Sequence, residues 1–168
     1  MNKDFYIYLK LKPYVRQWLT NAYGDPVKFN AHSVENAELR RWLIPVPDGC
    51  MPLLPEDGAT PVVIPQSKRR DPATYNYLTA EARECLVSMI DNNFDSDLKH
   101  SVRRSVCNGA SYTHALRAWM RLHSIDIDHE ETLLKRIQRM ISSYKKKNLN
   151  FFTFDLVKEG KTVKDNNS

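Results

Sequence analysis

The polarity of this chain first alternates, then turns helical. In residues 4–11 (DFYIYLKL), Phe5, Ile7 and Leu9 fall on one side and Tyr6, Tyr8 and Lys10 on the other. That period of two predicts a half-buried strand. Pro13 suits a first helical turn, and Tyr14, Val15, Trp18 and Leu19 follow at helical spacing, so a helix is expected over 12–22, ended by Gly24-Asp25-Pro26. Val27-Lys28-Phe29 reads as a short second strand, and Ser33 as the cap of a helix through Val34, Ala37, Leu39 and Trp42. Residues 44–61 (IPVPDGCMPLLPEDGATP) hold five prolines and two glycines and read as an irregular loop. Val62-Val63-Ile64, bounded by Pro61 and Pro65, reads as a strand at a sheet edge.

Thr79 reads as the cap of a further helix, and from there the pattern stays helical. Ala82, Cys85, Leu86, Met89 and Ile90 form an i, i+3, i+4 stripe, with Cys85 expected in the core. Asn92-Asn93 and Asp95-Ser96-Asp97 predict a break. A further helix over 97–107 carries Leu98, Val102 and Val106, and Gly109 stops it. Ser111 caps a helix bearing Ala115, Leu116, Trp119, Met120 and Leu122. Asp128 with Glu131 reads as a capping box for a last helix that turns Leu133, Ile137, Met140, Ile141 and Tyr144 to the core. Residues 148–154 read as a short extended piece and the polar end as disordered.

The expected fold class is therefore α+β, mostly helical. A small N-terminal α/β portion (1–66) with two or three short strands precedes a linker loop (67–77), a C-terminal four-helix region (78–150) and a tail (151–168). The 168-residue length allows a sizeable core. No apolar run is long enough to span a membrane, and no secretory signal opens the chain, so a cytoplasmic protein is expected. Cys50, Cys85 and Cys107 are odd in number and far apart, which disfavours a disulfide framework or zinc ribbon.

Charge changes the picture only locally. The net charge is +5, but Thr132 to Lys147 holds six cations and no acid, and Asp97 to Leu122 holds five cations and one acid. Such density is what phosphate binding needs. Two helices joined across Cys107-Asn108-Gly109-Ala110 have the spacing of a DNA-binding helix–turn–helix. A plain helical hairpin fits as well, because Arg104 and Asn108 stand where packing between the two helices calls for apolar residues. Arg103, Arg104, Arg117 and Arg121 form one candidate nucleic-acid face. Lys135, Arg136, Arg139, Lys145 and Lys146 form another, with acids confined to Glu130 and Glu131 in the first turn. Lys68-Arg69-Arg70 reads as a solvated loop, or as an arm reaching a phosphate.

No nucleotide-binding, serine-hydrolase or zinc-protease motif occurs. The acids and histidines of 123–131 invite a metal reading, yet Asp128 and Glu131 are accounted for by capping. Neither catalytic residues nor a cofactor or metal is expected.

The segments Tyr8-Leu9-Lys10-Leu11, Gly24-Asp25-Pro26-Val27, Asp71-Pro72 to Asn76-Tyr77-Leu78, and His114-Ala115-Leu116 with His123-Ser124-Ile125-Asp126 resemble a family of small, uncharacterised proteins of phage-like and other mobile genetic elements. The C-terminal region also resembles helix–turn–helix proteins of replication initiators and phage regulators. The resemblance implies a setting of DNA transactions. The expectation is a non-enzymatic DNA-binding protein, with DNA favoured over RNA and a homodimer as one arrangement. The competing expectation is a protein–protein interaction or scaffold protein.

Overall fold

The computed structural model describes residues 3–151. The fold is α+β and mostly helical, and it divides into two compact units. The first comprises Met1–Ser96 with His123–Ile125, the second Asp97–Leu122 with Asp126–Ser168.

In the first unit, β1 (Tyr6–Leu9) pairs antiparallel with β3 (Thr60–Val63), Ile7 opposite Val62. The alternation holds: Ile7 and Leu9 are buried, Tyr6 and Tyr8 half-exposed. The segment at Val27 contributes a single parallel bridge to Val62, with Val27 N–H donating to the Pro61 carbonyl and Val63 N–H to that of Val27. β3 thus has a neighbour on each side and is not an edge. Its Pro61 is tolerated because alternate residues donate to opposite sides. The N–H that proline lacks falls on the Val27 side, one step before that bridge begins.

Helix α1 (Pro13–Tyr23) starts on its proline, and α2 (Val34–Trp42) starts at Ser33, whose hydroxyl accepts from Asn36 N–H at 3.1 Å. Two short strands lie where loops are expected. β2 (Ile44–Pro45), inside the proline-rich stretch, pairs with β4 (Tyr75–Tyr77), inside the expected linker. Arg70 explains that linker's order. Its guanidinium donates to the carbonyls of Arg40, Arg41 and Leu43 at 2.8, 3.2 and 3.2 Å, satisfying the open end of α2. The side chain proposed for a phosphate-seeking arm is thus a helix cap.

Helix α3 (Ala80–Cys107) runs unbroken for 28 residues. No break occurs at Asn92–Asp97, because the buried residues Leu86, Ile90, Phe94, Leu98 and Val102 continue every fourth residue through it. The four Asn and Asp residues of the segment together cost at most about 2.8 kcal/mol in a helix, less than the ~3–6 kcal/mol that full burial of Phe94 and Leu98 returns. Leu86, Ile90 and Phe94 belong to the first core, with Tyr14 and Trp18 packed on the Phe94 ring at 5.5 Å each. Leu98 and Val102 belong to the second. Cys85 is exposed, not in the core, as are Cys50 and Cys107.

The second unit packs the end of α3 with α4 (Tyr112–Leu122) and α5 (Glu130–Lys146). The α3–α4 turn is a Schellman closure. Ala110 N–H reaches Ser105 O at 3.0 Å, Gly109 N–H reaches Val106 O at 3.0 Å, and Gly109 sits at φ +97°. Ser111 Oγ then caps α4 on His114 N–H at 3.2 Å. Asp126, not Asp128, opens the next element, a 3₁₀ turn at Ile127–His129, by accepting from Asp128 N–H at 3.1 Å. The expected extended piece starts as a turn instead. Asn148 at φ 54° closes α5 with Leu149 N–H on Tyr144 O at 2.9 Å, and Phe151 is buried. Residues 152–168, with the rest of that piece and most of the tail, lie outside the described residues.

Candidate nucleic-acid interface

Helix α4 separates its faces sharply. Ala115, Leu116, Trp119 and Met120 are buried, while His114, Arg117, Ala118, Arg121 and Leu122 are exposed at i, i+3, i+4, i+7 and i+8. Leu122, expected in the core, is 71% exposed, because the core face ends at Met120. Helix α5 buries Leu133 and Ile137 and leaves Met140, Ile141 and Tyr144 half-buried. Its opposite side carries Lys135, Gln138, Arg139, Ser142, Ser143 and Lys146, which together line a shallow cleft of about 530 Å³.

The nine cations singled out in the sequence have different surroundings. Arg103 is buried, 5% exposed, and does not stand on the exposed face expected of it. Its guanidinium lies 4.4 Å from the Phe151 ring centre and 5.4 Å from that of Tyr144. Lys99 joins this cluster, donating to the Tyr144 hydroxyl at 3.1 Å. Burial works to raise the Tyr144 pKa, but hydrogen bonds from Lys99 and Arg103, and the charges of both, outweigh it and hold the phenol below its ordinary value. Arg103 therefore ties α3 to the end of α5.

Arg117 is clamped by Glu130 through two hydrogen bonds, Nε at 2.7 Å and Nη2 at 3.0 Å. That pairing raises the Arg117 pKa and holds the Glu130 carboxyl below its usual range. Lys135 is paired with Glu131 at 2.7 Å, and the hydrogen bond and charge of Lys135 lower the Glu131 pKa as well. Arg136 is half-buried. Arg104, Arg121, Arg139, Lys145 and Lys146 are exposed, with no ion-pair partner among the described residues. Arg104 and Asn108 do not enter the helix–helix packing at all.

Three of the four carboxylates of the 123–131 segment are engaged elsewhere: Asp126 caps the 3₁₀ turn, and Glu130 and Glu131 pair with cations, while Asp128 is exposed. Among the described residues, no group of three or more His, Cys, Asp and Glu side chains is placed to hold a metal ion. No helix of the described residues is long and apolar enough to cross a membrane.

Comparison with family models, characterised proteins and solved structures gives no match. What this surface does must therefore be argued from its own chemistry. Sequence reasoning found the exposed cations of α5 through their acid-free run. It missed that Arg103 is interior, because the rings that enclose it, Tyr144 and Phe151, lie some forty to fifty positions further along the chain.

Proposed function

We propose that the protein is a non-enzymatic DNA-binding protein that holds the phosphate backbone along α5. The observation that carries this reading is the α5 cleft. Lys135, Arg139 and Lys146 stand on one solvent-facing side with Gln138, Ser142 and Ser143 between them. Cations supply charge neutralisation, and the hydroxyls and amide supply hydrogen bonds to phosphate oxygens. An ordinary solvated helix mixes signs along its face, whereas every acid of α5 lies in its first turn. The tight α3–α4 turn supports a helix–turn–helix arrangement, with His114 and Arg121 on the exposed face of α4. Arg121 has the fork geometry for a guanine edge. The resemblance noted above would place this binding in regulation or replication of a mobile element.

The test is fluorescence anisotropy with a labelled random duplex at low salt. Arg139→Ala with Lys146→Ala is expected to weaken binding at least tenfold with the fold intact by circular dichroism. Unchanged affinity in the double variant would overturn the role given to α5.

A second reading, protein–protein interaction, is favoured by Met51 and Leu54, which are 75% and 62% exposed on the proline-bounded loop. If duplex binding is absent at low salt, that reading takes precedence.

A further inference from the structure

The proline-rich stretch of the first unit holds a segment that its sheets and helices do not use. Residues 51–55 (MPLLP) are neither helix, strand nor turn, and they make no hydrogen bond among the described residues. Their conformation is restrained covalently instead. Proline fixes its own φ near −65°, and the residue before a proline is pushed to extended or polyproline-II backbone. Pro52 and Pro55, with Met51 and Leu54 ahead of them, put four of the five residues under such a restraint. The outcome it favours is a polyproline-II helix, which has no internal hydrogen bonds.

That helix turns once every three residues. Pro52 and Pro55 then share one edge, Met51 and Leu54 the next, and Leu53 stands alone on the third. Burial follows the same period: Leu53 is half-buried and the other four are exposed. Both ends are tied to the fold. Before the segment, Cys50 N–H donates to Pro47 O at 3.0 Å; after it, Ala59 N–H donates to Glu56 O at 3.0 Å, and Glu56 pairs with Lys10 at 2.6 Å. A solvent-facing apolar ridge is therefore held in place before any partner arrives, which lowers the ordering cost of binding.

Such a ridge is complementary to a groove lined with aromatic rings, the surface on which proline-rich segments dock. Charge narrows the partner further. Asp57 follows the ridge, exposed and with no cation paired with it among the described residues. A complementary groove carries a cation at that end. We propose that residues 51–55 are a docking ligand for a protein domain whose aromatic-lined groove accepts a polyproline-II helix and places a cation beside Asp57. The proposal rests on the protein–protein reading above and names the chemistry of its partner. It uses no residue of α4 or α5.

The test is titration of the whole ¹⁵N-labelled protein with three purified domains that bind polyproline-II segments: an SH3, a WW and an EVH1 domain. At least one is expected to bind with a Kd below about 1 mM, shifting the backbone signals of Leu53, Leu54 and Asp57 saturably. Pro52→Ala with Pro55→Ala should weaken that binding about tenfold, and Asp57→Lys should weaken it too, with circular dichroism and duplex affinity unchanged. In the free protein, Leu53 and Leu54 should have order parameters near those of rigid backbone, about 0.85. No binding by any of the three domains, order parameters below about 0.6, or binding that the double variant leaves intact would each overturn the ligand. The last outcome would keep protein–protein interaction and move it to another surface. Unchanged binding by Asp57→Lys would overturn the cation in the groove. Loss of duplex binding alone would leave the proposal standing.

Discussion

Arg103 is enclosed by two aromatic rings, whereas Arg104, one residue further along α3, is exposed. The same residue type thus serves the interior in one case and the surface in the other, and the variants should separate cleanly. Arg103→Ala removes two ring contacts and the packing of a long stem, and is expected to cost about 2–3 kcal/mol in urea unfolding. Arg104→Ala should stay within about 0.5 kcal/mol of the parent. Equal costs would mean that Arg103 is not held as described. Glu130 gives a second residue-scale expectation. Its carboxyl is lowered first by the hydrogen bond from Arg117, against burial, and then by the charge of Arg117. A carboxyl whose folded value lies below its unfolded value contributes stability above the unfolded value, and loses it as pH falls through the folded one. Glu130→Gln should therefore be less stable than the parent at neutral pH, and the difference should vanish in acid. A gap that persists in acid would assign the effect to packing instead of charge. Neither fate could be read locally: the sequence shows which residues are charged, but not which of them find a ring or a carboxylate far along the chain.

Elements were more legible where their signals are local. The caps at Ser33, Thr79 and Ser111 act within three residues, and each accepts the expected N–H, at 3.1, 3.1 and 3.2 Å. The turn at Gly109 needs a positive φ that glycine supplies freely, and it closes as expected. Long-range features failed for the same reason. β2 and β4 are two and three residues long and exist only because they pair with each other. The continuity of α3 rests on Phe94, fully buried among side chains from α1. Two substitutions test that continuity in opposite directions. Phe94→Ala is expected to cost about 3–5 kcal/mol, the usual range for a buried phenylalanine. Asn92→Ala, at an exposed position inside the helix, should stabilise by about 0.5 kcal/mol through helix propensity. At a helix break, where asparagine is favoured, the same alanine would destabilise, so the sign of the Asn92→Ala effect decides whether α3 is one helix.

At the scale of the molecule, a net charge of +5 is too small to define a partner, and its placement matters more. Of the nine cations proposed for nucleic acid, Arg103 is interior, Arg136 half-buried, and Arg117 and Lys135 are engaged with acids. Five remain exposed and unpaired among the described residues: Arg104, Arg121, Arg139, Lys145 and Lys146. If all five reach phosphate, log K should fall against log salt with a slope of about −4.5, each phosphate contributing about −0.9. A slope shallower than about −2 would show that most of them face away from the duplex. The acids then become the sharper probe. Glu131→Gln releases Lys135 from its 2.7 Å pair and leaves it on the α5 cleft wall with Arg139 and Lys146. That variant should bind duplex more tightly and steepen the slope by about 0.9, one additional phosphate contact. Glu81→Gln, at an exposed position in the first turn of α3, makes the same change in net charge without freeing a cation on α5. A general field would respond alike to both variants, raising affinity with no new contact. A phosphate track along α5 responds to Glu131→Gln alone, because a counterion is released only where a cation meets a phosphate.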